Sequence, residues 1–147
     1  MQTTERKIDG YVVGRTLGSG CSGKVKEGEQ PDGKKIALKI FQKDKEGFNP
    51  RLIKYCKNEF EKTSKLNHPY LVKHLSFKED AIYSHKDGRE TKVAYIAEEL
   101  VSRGELYNFV FKTGAFSDKI CRYYFKQLLM ALHYLHSNGL CHRDLKL

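Results

Sequence analysis

A chain of 147 residues with 39% hydrophobic and 31% charged positions is long enough for one core and too apolar for a disordered segment. Its 27 Lys and Arg against 18 Asp and Glu, a formal charge of +9, would suit nucleic acid or an anionic lipid surface. The lysines are spread along the chain, Lys24, Lys34, Lys43, Lys62, Lys73 and Lys112 among them, with no basic block or basic–aromatic stripe, so neither nucleic acid nor membrane is expected as a partner.

The polar residues 1–7 contain no apolar signal core, Gln2 is not the myristoylation glycine, and the apolar stretch 128–135 is interrupted by His133 and too short for a bilayer. Cys21, Cys56, Cys121 and Cys141 form no C-x-x-C pair, which predicts free thiols and no zinc cluster. A soluble, cytoplasmic protein is the expectation.

In chain order, residues 11–17 are β-rich and run into the glycine cluster Gly18-Ser19-Gly20-Cys21-Ser22-Gly23. Residues 24–29 alternate around Val25 as a second strand, Gln30-Pro31-Asp32-Gly33 is a turn, and 36–41 is a third strand, so three antiparallel strands form a meander. Asn49-Pro50 then starts a helix, which is expected to reach residue 66 and stop at Asn67-His68-Pro69. Its apolar stripe is Ile53, Cys56, Phe60, Thr63 and Leu66, and Glu59 falls on the edge of that stripe, an odd place for a carboxylate without a cation opposite. Residues 71–77 and 93–100 read as two further strands, with an extra hairpin over 82–91. A short helix over 105–112 follows. Ser117 caps a long one, with Tyr124, Leu128, Ala131 and Leu135 on one face and Asn138-Gly139 at its end. Five strands and one helix followed by helices make an α+β order with a five-stranded antiparallel sheet.

The pattern Gly18-x-Gly20-x-x-Gly23 is weak evidence alone, because glycines also serve merely to tighten a hairpin. A strand, not a helix, follows it, which removes the dinucleotide-binding alternative. A hairpin tip without side chains lets backbone N–H groups approach phosphate closely, and Val25 would lie over a flat apolar ligand. On the third strand, alternation puts Ala37 and Lys39 on one face, a small residue for a planar base beside a cation for its phosphates. Lys39 alone could equally be an edge residue reaching water. Paired with Glu59, its ammonium would be fixed and keep donors for phosphate oxygens.

Together, Leu17-Gly18-Ser19-Gly20, Gly23-Lys24-Val25, Ala37-Leu38-Lys39, Glu59 and His142-Arg143-Asp144-Leu145-Lys146 stand in the order of the eukaryotic protein kinases, and the chain resembles the Ser/Thr class of that family from residue 11 to 147. Gly104-Glu105-Leu106 resembles the calcium/calmodulin- or energy-sensing-type branch. The resemblance implies a tail over 1–10, an N-lobe and hinge over 11–101 with the helix the family calls αC, and the first helices of an incomplete C-lobe over 102–147. It implies ATP as co-substrate, Mg²⁺ as cofactor and a protein carrying a Ser or Thr acceptor. Residues 17–25 (Leu17, Gly18, Ser19, Gly20, Cys21, Ser22, Gly23, Lys24, Val25) would cover ATP with Ala37. Lys39 would hold its phosphates and Glu59 would hold Lys39. The Glu99 carbonyl and Val101 backbone would read adenine, and Glu105 would reach the ribose or a basic substrate residue. Asp144 would orient the acceptor hydroxyl and take its proton, and Lys146 would steady the γ-phosphate. Arg143 would grip a phosphorylated activation loop and His142 would shape its own loop. His133, His136, Cys141 and His142 read as helix-end residues, not metal ligands.

Two departures stand out. Cys21-Ser22 replaces the usual aromatic at the glycine tip, and Glu98 stands where the family gates the pocket behind adenine, usually with an apolar residue or threonine. Glu98 is expected to compete with Glu59 for Lys39 or to ionise into trapped water. The family's magnesium-binding asparagine and Asp-Phe-Gly would fall past Leu147, so the 147 residues alone are expected not to turn over. A truncated, non-catalytic binding module, with a protein partner on the incomplete C-lobe, is the alternative.

Overall fold

Residues 93–97 are apolar without a break, and so are residues 36–41 except Lys39, which suits strands covered on both faces. The computed structural model describes residues 5–20, 23–44 and 46–147. Its strands are β1 (Lys7–Ile8), β2 (Tyr11–Gly20), β3 (Gly23–Glu29), β4 (Lys35–Gln42), β5 (His74–Ser84) and β6 (Glu90–Glu99). Helix α1 (Pro50–Thr63) lies between β4 and β5 in sequence, and α2 (Leu106–Thr113) and α3 (Asp118–Ser137) follow β6. The strands close into an antiparallel barrel in the order β1-β2-β3-β4-β6-β5.

Alternation divides β4 and β6 between two cores. Ile36, Leu38 and Ile40 of β4 point inward with Val93, Tyr95 and Ala97 of β6. Phe41 of β4 and Ala94 and Ile96 of β6 face the other way and pack with Ile53 and Cys56 of α1. Helix α1 begins as its sequence predicts: the Asn49 side chain accepts a hydrogen bond from the Arg51 N–H at 3.0 Å, with Pro50 in the first position. It ends at Thr63, three residues before the predicted stop.

The antiparallel sheet and its helices match the expected fold class; the sixth strand comes from residues read as a tail. Lys7 and Ile8 pair with both β2 and β5, and Ile8 is fully buried. Asp9, in the left-handed region at φ 50°, then turns the chain into β2. It accepts hydrogen bonds from Tyr95 Oη at 2.8 Å and Lys78 Nζ at 3.0 Å. Burial of one isoleucine and pairing of an otherwise open edge hold this strand in place. The hairpin expected over 82–91 is the far end of β5 and β6 themselves, turned by Lys86 to Arg89. At the other end, residues 71–73 precede β5 and are not strand.

Two compact units result. One comprises residues 1–66 and 73–100; the other comprises 67–72 and 101–147. Segment 67–72 belongs with the helices because His68 stacks on Tyr134 at 5.0 Å and the Asn67 N–H donates to Tyr134 Oη at 3.2 Å. In α3 only Ala131 and Leu135 of the predicted apolar face are buried; Tyr124 and Leu128 are exposed. The Ser117 side chain makes no capping bond, and Gly139, at φ 71°, supplies the left-handed turn at the far end.

Candidate functional site in the sheet unit

Register places Val25, Ala37 and Lys39, with Gly18 beside them, on one face of the barrel wall. Val25 is the partner of both Gly18 on β2 and Lys39 on β4, so glycine turn, Val25 and Lys39 are aligned across three strands. Ala37, two residues from Lys39, shares that face with Phe41 and the underside of α1. The glycines have different roles. A Cβ on Gly23 would lie 2.5 Å from the Ile40 carbonyl oxygen, so the close β3–β4 approach there needs glycine. Gly18 and Gly20 have nothing within 4 Å of an added Cβ, leaving that side of the turn open. Leu17 is exposed beside them, Ser19 and Lys24 pair across the turn, and Cys21 and Ser22 lie outside the described residues.

The expected Lys39–Glu59 ion pair is not formed. Lys39 Nζ lies over the Phe41 ring, 5.7 Å from its centroid, and Glu59 is exposed on α1. Both charges flank Cys56. Its thiol is pushed up chiefly by burial, with Glu59 adding to the shift and Lys39 opposing it. Ile53, Cys56 and Phe60 fill the contact with the sheet, and a carboxylate at the margin of that stripe keeps its hydration when no cation is within bonding distance.

Glu98 does not pair with Lys39. Its Oε1 lies 3.2 Å from His74 Nε2, and both side chains are largely covered. His74 Nδ1 in turn meets Thr63 Oγ1, whose hydroxyl donates to the Glu59 carbonyl at 2.8 Å. This chain from α1 through β5 to β6 was not foreseen, and its cause is a change of register. Ser76 pairs with Ala97, which in regular pairing would put His74 opposite Glu99, but the irregularity between them brings His74 opposite Glu98. No sequence signal announces that bulge. Next along β6, Glu99 is exposed and its N–H donates to the Lys73 carbonyl at 2.9 Å.

A cavity of about 530 Å³ on this unit is lined by the glycine-turn residues Ser19, Gly20, Gly23 and Lys24 together with Phe41 and, among others, Arg6, Lys26, Tyr83 and His85. Burial, then Arg6 and Lys24, lowers the Lys26 pKa there. Neither Ala37 nor Lys39 lines it.

In the helical unit, Val101 is exposed and Glu105 is the N-cap of α2, without a side-chain capping bond. Lys146 Nζ lies 3.3 Å from Asp144 Oδ2, both side chains being open to solvent. The Asp144 N–H donates to His142 Nδ1 at 3.2 Å, and Arg143 between them sits at φ 63°. This left-handed residue folds the loop back so that His142 braces the aspartate backbone. Among the described residues no three His, Cys, Asp or Glu side chains gather as a metal site, and no helix is long and apolar enough to cross a membrane.

Residues 11–147 match the family described as the protein kinase domain. The chain is 36% identical over 137 residues to NUAK family SNF1-like kinase 2 of Rattus norvegicus, covering 93% of this chain and 20% of that one. It is 39% identical over 145 residues to the probable serine/threonine-protein kinase MARK-B of Dictyostelium discoideum, covering 96% and 18%. It therefore spans about a fifth of the length of these relatives. Among solved structures it resembles Rad53 1-466, crystallised in complex with AMP-PNP, with a TM-score of 0.72 and 32% identity over 93% of this chain and 33% of that one. The fold is that of a protein kinase, an antiparallel N-lobe sheet with part of a C-lobe, and the chain belongs to the protein kinase domain family.

Proposed function

We propose that this chain is the nucleotide-binding portion of a Ser/Thr protein kinase, which moves the γ-phosphate of ATP to a Ser or Thr hydroxyl of a protein. The observation that carries the reading is the alignment of the open glycine turn, Val25, Ala37 and Lys39 on one face of the sheet. AMP-PNP in the Rad53 structure supports a nucleoside triphosphate as the ligand class. The name serine/threonine-protein kinase carried by the Dictyostelium relative supports the Ser/Thr class.

In this reading Gly18 and Gly20 admit phosphate to the backbone, with Leu17, Ser19, Cys21, Ser22, Gly23 and Lys24 completing the turn, and Val25 and Ala37 sandwich the base. The Glu99 carbonyl and the Val101 backbone bond its edge, and Glu105 meets the ribose or a basic substrate residue. Lys39 neutralises phosphate oxygens and is steadied by Glu59, which has to swing toward it from its exposed position. Asp144 orients the acceptor hydroxyl and takes its proton, held ready by Lys146, which passes to the γ-phosphate. Arg143 grips a phosphorylated segment. Mg²⁺ would supply charge neutralisation at the phosphates, and the described residues do not gather a site for it.

Calorimetric titration with ATP tests the reading. Lys39→Ala should weaken binding by roughly tenfold or more, and in the whole protein Asp144→Asn should abolish phosphotransfer while nucleotide affinity holds. Equal affinity in Lys39→Ala would sink it. A non-catalytic binding module is the second reading, favoured by exposed apolar side chains such as Phe111, Phe125 and Leu129 on α2 and α3. It predicts that the whole protein binds a protein partner and transfers no phosphate.

A further inference from the structure

Glu98 has two basic side chains as cross-strand neighbours and bonds only one of them. Strand β6 lies between β4 and β5, so Glu98 is registered with Ala37 on one side and His74 on the other. Lys39 is two residues from Ala37 on the same face, a diagonal neighbour about 7–8 Å away between backbones, easily spanned by a glutamate and a lysine. An ion pair across that diagonal would take the ammonium that the phosphates need. Instead Glu98 Oε1 turns to His74 Nε2 at 3.2 Å.

The other ring nitrogen of His74 is engaged as well: Nδ1 meets Thr63 Oγ1, whose hydroxyl lies 2.8 Å from the Glu59 carbonyl. The Phe60 ring of α1, with its centroid 6.2 Å from that of His74, backs it on the helix side. The pair is thus tied to α1, β5 and β6 at once.

We propose that His74 is a positioning residue for the nucleotide site: through its Nε2 contact it holds the Glu98 carboxylate toward β5 and α1 and so leaves the Lys39 ammonium free for phosphate. This rests on the nucleotide-binding reading above. The test compares ATP affinity by calorimetry in the unmodified chain, His74→Leu and His74→Leu/Glu98→Gln, with thermal unfolding as the check on folding. His74→Leu should weaken ATP binding roughly tenfold, because the released carboxylate pairs with Lys39. The double variant should return to within about twofold of the unmodified chain, a rescue that lost packing alone would not produce. Unchanged affinity in His74→Leu, or no rescue in a folded double variant, overturns the inference alone. An unmodified chain that binds no ATP overturns the nucleotide-binding reading and this inference with it.

Discussion

The two units differ most in where their apolar side chains go. In the sheet unit both faces of β4 and β6 are covered, one by the barrel interior and one by α1. In the helical unit only Ala131 and Leu135 are buried, while Phe111, Tyr123 and Phe125 remain largely exposed. A closed antiparallel sheet with one helix on it satisfies its own backbone and buries its own apolar residues. An amphipathic helix gains little until a second element covers its stripe. Stability should therefore be concentrated in the sheet unit.

Paired truncations give the largest expected contrast. Phe41→Ala, at a site only 1% exposed, should cost about 3–5 kcal/mol in denaturant unfolding. Phe111→Ala, at 77% exposure, should cost less than about 0.5 kcal/mol. Equal costs would break the comparison. Within the sheet unit the glycine turn should split in the same way. Gly23→Ala drives a methyl into the Ile40 carbonyl at φ 151° and should lose about 1–3 kcal/mol. Gly20→Ala meets nothing and should leave the melting temperature nearly unchanged.

Helix starts sharpen the contrast at a smaller scale. Asn49→Ala removes a formed capping bond and should cost about 1 kcal/mol, read from chemical unfolding. Ser117→Ala removes none, so its cost should stay under about 0.5 kcal/mol.

The smallest effect near neutral pH comes from the barrel tyrosines. Burial, followed by the bond to Asp9, pushes the Tyr95 pKa up, and burial raises that of Tyr83. The folded state thus holds these protons more tightly than the unfolded chain. Their contribution is complete below the unfolded tyrosine value of about 10 and is lost as pH rises from there through the higher folded values. A melting series into alkali should show this loss, and Tyr95→Phe should flatten it.

Much of the candidate site was legible because its chemistry is local. The glycine turn, the Ala37–Lys39 spacing and the Asn49-Pro50 start each need only a few neighbouring residues to be read. The tail was misread because Lys7 and Ile8 become a strand only when β2 and β5 stand ready to pair with them. The Lys39–Glu59 pair was expected from helical spacing, yet spacing places Glu59 only at the margin of the stripe. Whether its carboxylate turns inward depends on what Phe60 and Cys56 leave open.

Residue order by itself determined the alternation that sorts β4 and β6 into two cores, the turns and caps that punctuate them, and the set of charges available to a nucleotide. Tertiary structure alone decided which of those charges meet. An irregular register between His74 and Ser76 gave Glu98 a histidine instead of a lysine, because a one-residue shift in strand pairing changes every cross-strand neighbour beyond it.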